Sequence, residues 1–413
     1  MSASRIGAAG EWQRYKMLPI SAALGYGTST IHIYGLGPYI EPISQEFGWS
    51  RTQTTLGLTI QAFIGALCAI PIGLLVDRIG PRLLGLAGVL LTTGAFALLG
   101  TATGDIGNWY FLWSVMALAT LPVQATIWTS AVATRFEASR GLAFAITLCG
   151  AAIVQTLFPY LGAKLIAAYG WKVAIAAQAG IWLAITFPMV FFFFRGAHDR
   201  GGKTHDAPAT ERAELTGARF AEGLRSSIYL RLLLVSLLFT FTIVALVVHF
   251  VPILSARGID KIEAAGLASL VGVGSIVGRL GTGLLLDRFR GSYVGAVAFL
   301  LPAIGCLLLM ISGSSIAGAA AAAALIGLTL GAEVDVIVYL TTKHFGLKNF
   351  GALYGGLLAA LSVGAATGPL GASVIFDAYG EYSPFLWIVV GFMVASSLAL
   401  ASLPRPVFDP SPH

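Results

Sequence analysis

Charge is what this 413-residue sequence has least of. Asp, Glu, Lys and Arg together make up 11% of it, against about 25% in a typical soluble domain. Most of the chain therefore cannot present a water-exposed globular surface. Cysteine is scarce as well. Cys68, Cys149 and Cys306 are the three present, and each lies inside an apolar run. With no CxxC and no Cys/His cluster, neither a disulfide nor a bound metal is expected, and no cofactor is implied. No nucleophile–base pattern appears either, so an enzyme is not expected. Long polar stretches are missing, apart from residues 195–228 with Arg195, Arg200, Lys203, Arg212, Arg219 and Arg225.

What is abundant is apolar surface and glycine. Hydrophobic residues make up 57%, mean hydropathy is +0.83, and there are 50 glycines. A membrane-crossing helix needs about 20 apolar residues, and small residues let such helices approach closely. Apolar runs lie near 17–40, 54–76, 82–102, 108–134, 140–163 and 171–194, then near 229–255, 264–286, 292–312, 315–341, 351–375 and 382–403. The pattern predicts an all-α membrane protein of twelve transmembrane helices. Its parts are a six-helix bundle over 1–194, a linker over 195–228 and a second six-helix bundle over 229–413. The N-terminus is polar up to Lys16, and the apolar run after it is too long for a signal-peptide core. Lys and Arg gather on one set of loops, leaving Arg51, Lys164, Lys172, Arg257 and Lys261 for the other. That bias predicts both termini on the cytoplasmic side of the cell membrane. The net charge of +6 sits in loops, so it reads as an orientation signal and not as nucleic-acid affinity.

The two halves repeat at a spacing of 210 residues. Gly48 pairs with Gly258; Gly73, Asp77 and Arg78 pair with Gly283, Asp287 and Arg288; Gly141 pairs with Gly351, Pro159 with Pro369, and Gly170 with Gly380. Six spans per half keep both halves in the same membrane orientation. This predicts a pseudo-twofold along the membrane normal, with a substrate site between the halves near the midplane. The segment Gly73-Leu74-Leu75-Val76-Asp77-Arg78-Ile79-Gly80-Pro81-Arg82 resembles the loop signature of the major facilitator superfamily. Asp287-Arg288-Phe289-Arg290-Gly291 is similar to its degenerate copy. The resemblance implies a secondary transporter that works by alternating access. Within it, Asp77, Arg78, Arg82, Asp287 and Arg288 are expected to gate the conformational change, a carboxylate there facing a helix N-terminus or a cation.

Three charged residues fall well inside spans: Arg279, Glu333 and Asp335. Facing lipid, each costs about 2.5–3.5 kcal/mol at a span centre, so each needs an interior position and a partner or task. Arg279 lies eight residues before Asp287, and Asp335 eight before Lys343, about 12 Å along a helix in both cases. Their counterparts 210 residues earlier are Ala69, Val123 and Ala125. A scaffold feature would recur in both halves, and these charges do not. Glu333 and Asp335 are about 200° apart around a helix, so which one faces the pathway stays open. Further polar candidates for substrate contact are His32 and Tyr34 in span 1, Gln124 and Trp128 in span 4, Gln155 in span 5, His249 in span 7 and Ser275 in span 8.

Arg279, the run Arg140-Gly141-Leu142-Ala143 opening span 5, and Gly170-Trp171-Lys172 opening span 6 resemble the monocarboxylate-porter and oxalate/formate-antiporter branch of the superfamily. The resemblance implies that Arg279 holds the substrate carboxylate, a task suited to a permanently charged guanidinium. Where animal monocarboxylate porters carry a lysine in span 1, this chain has His32 and Tyr34. Where many carry an acid one turn before the arginine, it has Ser275. The lysine that the oxalate exchangers carry in span 11 is missing. One fixed cation favours a monoanion. The expectation is a monomeric, proton-coupled carrier of a small carboxylate in the lipid bilayer, with protons taken up at Glu333 or Asp335. The alternatives are an anion exchanger without a proton step, a proton/drug antiporter and a non-transporting receptor.

Overall fold

The computed structural model describes residues 8–136, 139–196, 220–286, 288–346 and 349–406, with the side chains of 8, 66, 69–79, 140, 220 and 350–352 excepted. Eighteen α-helices follow one another in these residues. The first set is α1 (Ala8–Tyr15), α2 (Met17–Thr28), α3 (Ile31–Gly35), α4 (Gly37–Phe47), α5 (Arg51–Ile79), α6 (Pro81–Leu98), α7 (Ile106–Thr120), α8 (Ala125–Ala133), α9 (Arg140–Leu148), α10 (Gly150–Tyr169) and α11 (Trp171–Phe193). The second set is α12 (Phe220–Arg225), α13 (Ser227–Ser255), α14 (Lys261–Leu286), α15 (Gly291–Ser312), α16 (Ile316–Phe345), α17 (Phe350–Tyr379) and α18 (Ser383–Ala401). The fold is that of an all-helical, multi-pass membrane protein. Ten helical stretches among the described residues, from Pro81–Thr101 to Ser383–Ala401, are long and apolar enough to cross a bilayer. They coincide with the third to twelfth expected spans. The second expected span lies within α5. The first is not one helix, being divided into α2, α3 and α4.

The chain forms two compact units. One comprises residues 1–48 and 56–207, the other 49–55 and 208–413. Most of the expected linker, residues 197–219, lies outside the described residues. Helix ends carry the expected punctuation. Asp105 caps α7 by accepting from the N–H groups of Gly107 and Asn108, while Ser226 and Ser315 do the same for α13 and α16. The repeat is visible in the backbone. Gly48 and Gly258 both have positive φ (67° and 86°), as do Gly170 and Gly380 (75° and 74°). Only glycine adopts positive φ without steric cost, so the same residue recurs where the backbone needs it. Pro159 and Pro369 both sit inside helices, α10 and α17.

In the first unit the fourth expected span breaks as well. α7 gives way to a 3-10 turn at Leu121–Val123, where Pro122 leaves helical geometry (ψ 16°). Proline removes a donor, and the break frees carbonyls that must find other partners inside a membrane. Thr92 donates to the carbonyl of Ala119 at 2.7 Å, Gln124 Nε2 to that of Thr120 at 3.3 Å, and the Trp128 indole to that of Val123 at 2.9 Å. A β-carbon on Gly88 would lie 2.5 Å from the Pro122 carbonyl oxygen, so only glycine lets α6 pass the break. In the second unit, the corresponding α13 and α16 run without interruption for 29 and 30 residues.

Candidate functional site

Glycine builds the site. α14 and α16 run parallel and cross with almost no side chain between them. A β-carbon on Gly278 would lie 2.0 Å from the Leu328 carbonyl oxygen, one on Gly327 2.4 Å from that of Val271, and one on Gly331 1.9 Å from that of Ser275 and 2.6 Å from the Arg279 nitrogen. This close seam is the small-residue packing of membrane helices. It sets Arg279 beside the stretch of α16 that carries Glu333 and Asp335.

Arg279 is half-buried, Glu333 is buried at 7% exposure, and Asp335 is half-buried. The arginine's charge acts on both carboxylates. No ion pair closes between them among the described residues. Gly327, Gly331 and Asp335 are four residues apart, so Asp335 continues the stripe that faces α14. Ser275 turns its hydroxyl onto the carbonyl of Gly272, 2.8 Å away, and contributes its own carbonyl to the seam. Tyr354 on α17 lies within the field of both acids, and the sequence reading did not single it out. A signal existed: its counterpart 210 residues earlier is Phe144, so its hydroxyl, like the three charges, belongs to the second half alone.

His249 is elsewhere and engaged. Its Nε2 lies 3.0 Å from the carbonyl of Pro369 and its Nδ1 2.9 Å from the Tyr382 hydroxyl. A carbonyl only accepts, so Nε2 holds the proton and Nδ1 accepts from Tyr382. Arg51 donates to the same tyrosine oxygen and stacks its guanidinium 3.7 Å from the Phe376 ring centre. The Asp377 carboxylate accepts the N–H groups of Arg51 and Thr52 at 3.1 and 2.9 Å. Thr55 meets Ser373 at 2.7 Å, and Ser373 lies 3.2 Å from His249. At the position matching His249, Tyr39 likewise anchors its own unit, donating to Gln178 at 2.8 Å. Each half thus ties this position to a neighbouring helix by hydrogen bonding.

The other candidates are dispersed through the first unit. His32, on the five-residue α3, is fully buried edge-on to Trp113, with ring centres 6.1 Å apart. Gln61 is its polar neighbour. Tyr34 is half-buried, and Gln155 is buried in α10. Gln124 is exposed, while Trp128 is wholly buried against Gly25, Gly85 and Phe194. Both serve the broken span. Among the expected gate residues, the side chains of Asp77 and Arg78 and the whole of Asp287 lie outside the described residues. Arg82 donates to the carbonyl of Phe191 at 2.9 Å, at the C-terminal end of α11. Arg288 is exposed.

Comparison with known proteins agrees with this architecture. The MFS transporter asaE of Aspergillus flavus is 26% identical over 62% of this chain and 55% of its own length. The 3-(3-hydroxy-phenyl)propionate transporter of Escherichia coli is 26% identical over 79% of this chain and 76% of its own. Monocarboxylate transporter 13 of Bos taurus is 24% identical over 85% and 79%. Among solved structures, a bacterial homolog of the human lysosomal transporter Spinster superposes with a TM-score of 0.66 over 93% of this chain and 94% of that one, at 16% identity. The family profile of the Major Facilitator Superfamily matches residues 22–345. The chain thus belongs to the major facilitator superfamily and is a transporter, not an enzyme.

Proposed function

We propose that this chain carries a small organic monocarboxylate across the cell membrane together with a proton, with both termini on the cytoplasmic side. The observation that carries the reading is an arginine at mid-span whose charge reaches two acids without pairing with either. A guanidinium at that depth is costly while unpaired, and a carboxylate arriving from water supplies a bidentate, charge-assisted partner. Glu333 and Asp335 compete with the substrate for the same cation. A proton on one of them weakens that competition, so proton and substrate favour each other's binding, which is the linkage symport requires. Two of the relatives are named for carboxylic acids, which supports this substrate class.

The test is uptake into proteoliposomes. An inward proton gradient should drive accumulation of a small monocarboxylate by the native protein, and Arg279→Gln should abolish it while leaving a folded protein. Uptake indifferent to the gradient would make the chain an exchanger. Unchanged carboxylate binding by Arg279→Gln would remove the arginine from the site.

A further inference from the structure

On the second unit, α14 and α15 part to leave a cavity of about 450 Å³. Its walls include Val277, Gly281 and Leu285 on α14 and Tyr293 and Val297 on α15, with Leu328 of α16 at the floor. Gly281 opens directly onto this space. A β-carbon on Gly281 would meet nothing within 4 Å. The side chains around it are apolar and stand open, Val277 at 56% exposure and Val297 at 63%. Around a membrane protein such a surface meets acyl chains.

The end of the groove is different. α14 stops at Leu286, and the following turn brings cations to the mouth. Arg288 is exposed and its side chain makes no hydrogen bond among the described residues. Arg290 is half-buried, donates one guanidinium N–H to the carbonyl of Leu403, and lays the group 5.0 Å from the centre of the Tyr293 ring, which itself lines the groove. Lys343 of α16 stands 5.5 Å from the Tyr339 ring, and Tyr339 packs on Gly291 at the start of α15. The groove runs about 12 Å along α14 from Val277 to Leu285, close to the depth of one leaflet of a bilayer whose core is about 30 Å.

We infer that this groove is a binding site for an anionic phospholipid, with one acyl chain along α14 and α15 and the phosphate at Arg288 and Arg290. The apolar length selects a chain over a water-soluble anion. The cations at one end select a negative headgroup over a zwitterionic one, since basic clusters at the membrane surface attract anionic lipid. The site is separate from Arg279, though it shares the helix: Gly278 lines the groove, and Arg279 is the next residue.

Native mass spectrometry of the full-length protein in micelles with equal phosphatidylglycerol and phosphatidylcholine tests this. The native protein should retain phosphatidylglycerol over phosphatidylcholine about fivefold, as expected for roughly one effective cation. Arg288→Gln should keep a lipid adduct but lose the preference. Val297→Trp should lose the adduct by filling the groove from an exposed position. Gly281→Leu, which grows into the same open space, should repeat that loss, so a folding defect in either variant does not decide the outcome. Equal retention of the two lipids by the native protein overturns the headgroup assignment. A native-level adduct on a folded Val297→Trp or Gly281→Leu protein overturns the site.

Discussion

The two units solve one problem in opposite ways. Each must place polar groups within a membrane, where unpaired ones are costly. The first unit does it with backbone. Its first span is cut into α2, α3 and α4, and its fourth is broken at Pro122. The second unit keeps α13 and α16 whole and places ionisable side chains on α14 and α16 instead. The positions correspond. The break at residues 121–124 lies 210 residues before 331–334, the stretch that holds Gly331 and Glu333. Where one half interrupts its helix, the other charges it. The sequence repeat marks a shared architecture, and the departures from it mark the parts with separate tasks.

The sharpest way to break this contrast is at the glycine seam. Gly331→Leu should abolish folded protein, because its β-carbon would collide with three backbone atoms. Overpacking alone costs about 1–3 kcal/mol, and backbone cannot swing aside as a side chain can. Gly65→Ala, where a β-carbon meets nothing within 4 Å, should leave monodisperse yield and Tm unchanged. Gel filtration of the two variants gives the answer.

Next in size is the charge set. Arg279→Gln should raise the Kd for a carboxylate at least about tenfold, the loss expected for a hydrogen-bonded ionic contact, with Tm near that of the native protein. If Tm collapses instead, the arginine belongs to the scaffold and the contrast weakens. Glu333→Gln should uncouple. Uptake driven by a proton gradient should vanish while exchange between preloaded liposomes persists. Should gradient-driven uptake survive in Glu333→Gln, Asp335→Asn and the double variant alike, both acids are structural.

The first unit should behave differently. Trp128→Phe strands the Val123 carbonyl and should lower stability by about 0.6–2 kcal/mol, leaving carboxylate affinity intact. A selective loss of affinity there would restore Trp128 to the binding site. The smallest effect concerns Glu46. The ammonium of Lys172, 2.6 Å away, and the indole N–H of Trp171 hold its carboxyl below the usual range. A lowered value contributes stability that is present above the ordinary carboxylate pKa and fades as pH falls through the lowered one. The pair is largely exposed, so acidification should lower Tm only slightly, and Glu46→Gln should abolish that pH dependence.

Much of this fold was legible beforehand. Charge scarcity and long apolar runs place ten spans directly, and two of the four repeated glycine pairs, Gly48 with Gly258 and Gly170 with Gly380, share positive φ. The breaks were hidden, because hydropathy sums side chains while a break is an event of the backbone. Pro122 was the available signal. The structural duty of Gln124 and Trp128 was hidden for the same reason: each donates to a carbonyl beside the break, and hydropathy does not show that carbonyl. The hydrogen bonds of His249 to Tyr382 and Pro369 were not legible either, although its match at Tyr39 pointed to a packing role. Arg279, Glu333 and Asp335 stood out because the first half has no equivalent, and the same test applied to aromatics would have found Tyr354.

The seam between α14 and α16 has a consequence for descent. Its tolerance lies entirely in the residues beside the contact, none in the contact itself. The side chains at 279 and 333 can change without adding an atom to the points where Gly278, Gly327 and Gly331 meet backbone. If the proposed function holds, a change of cargo through position 279 or 333 would leave the glycine contacts between the two helices as they are.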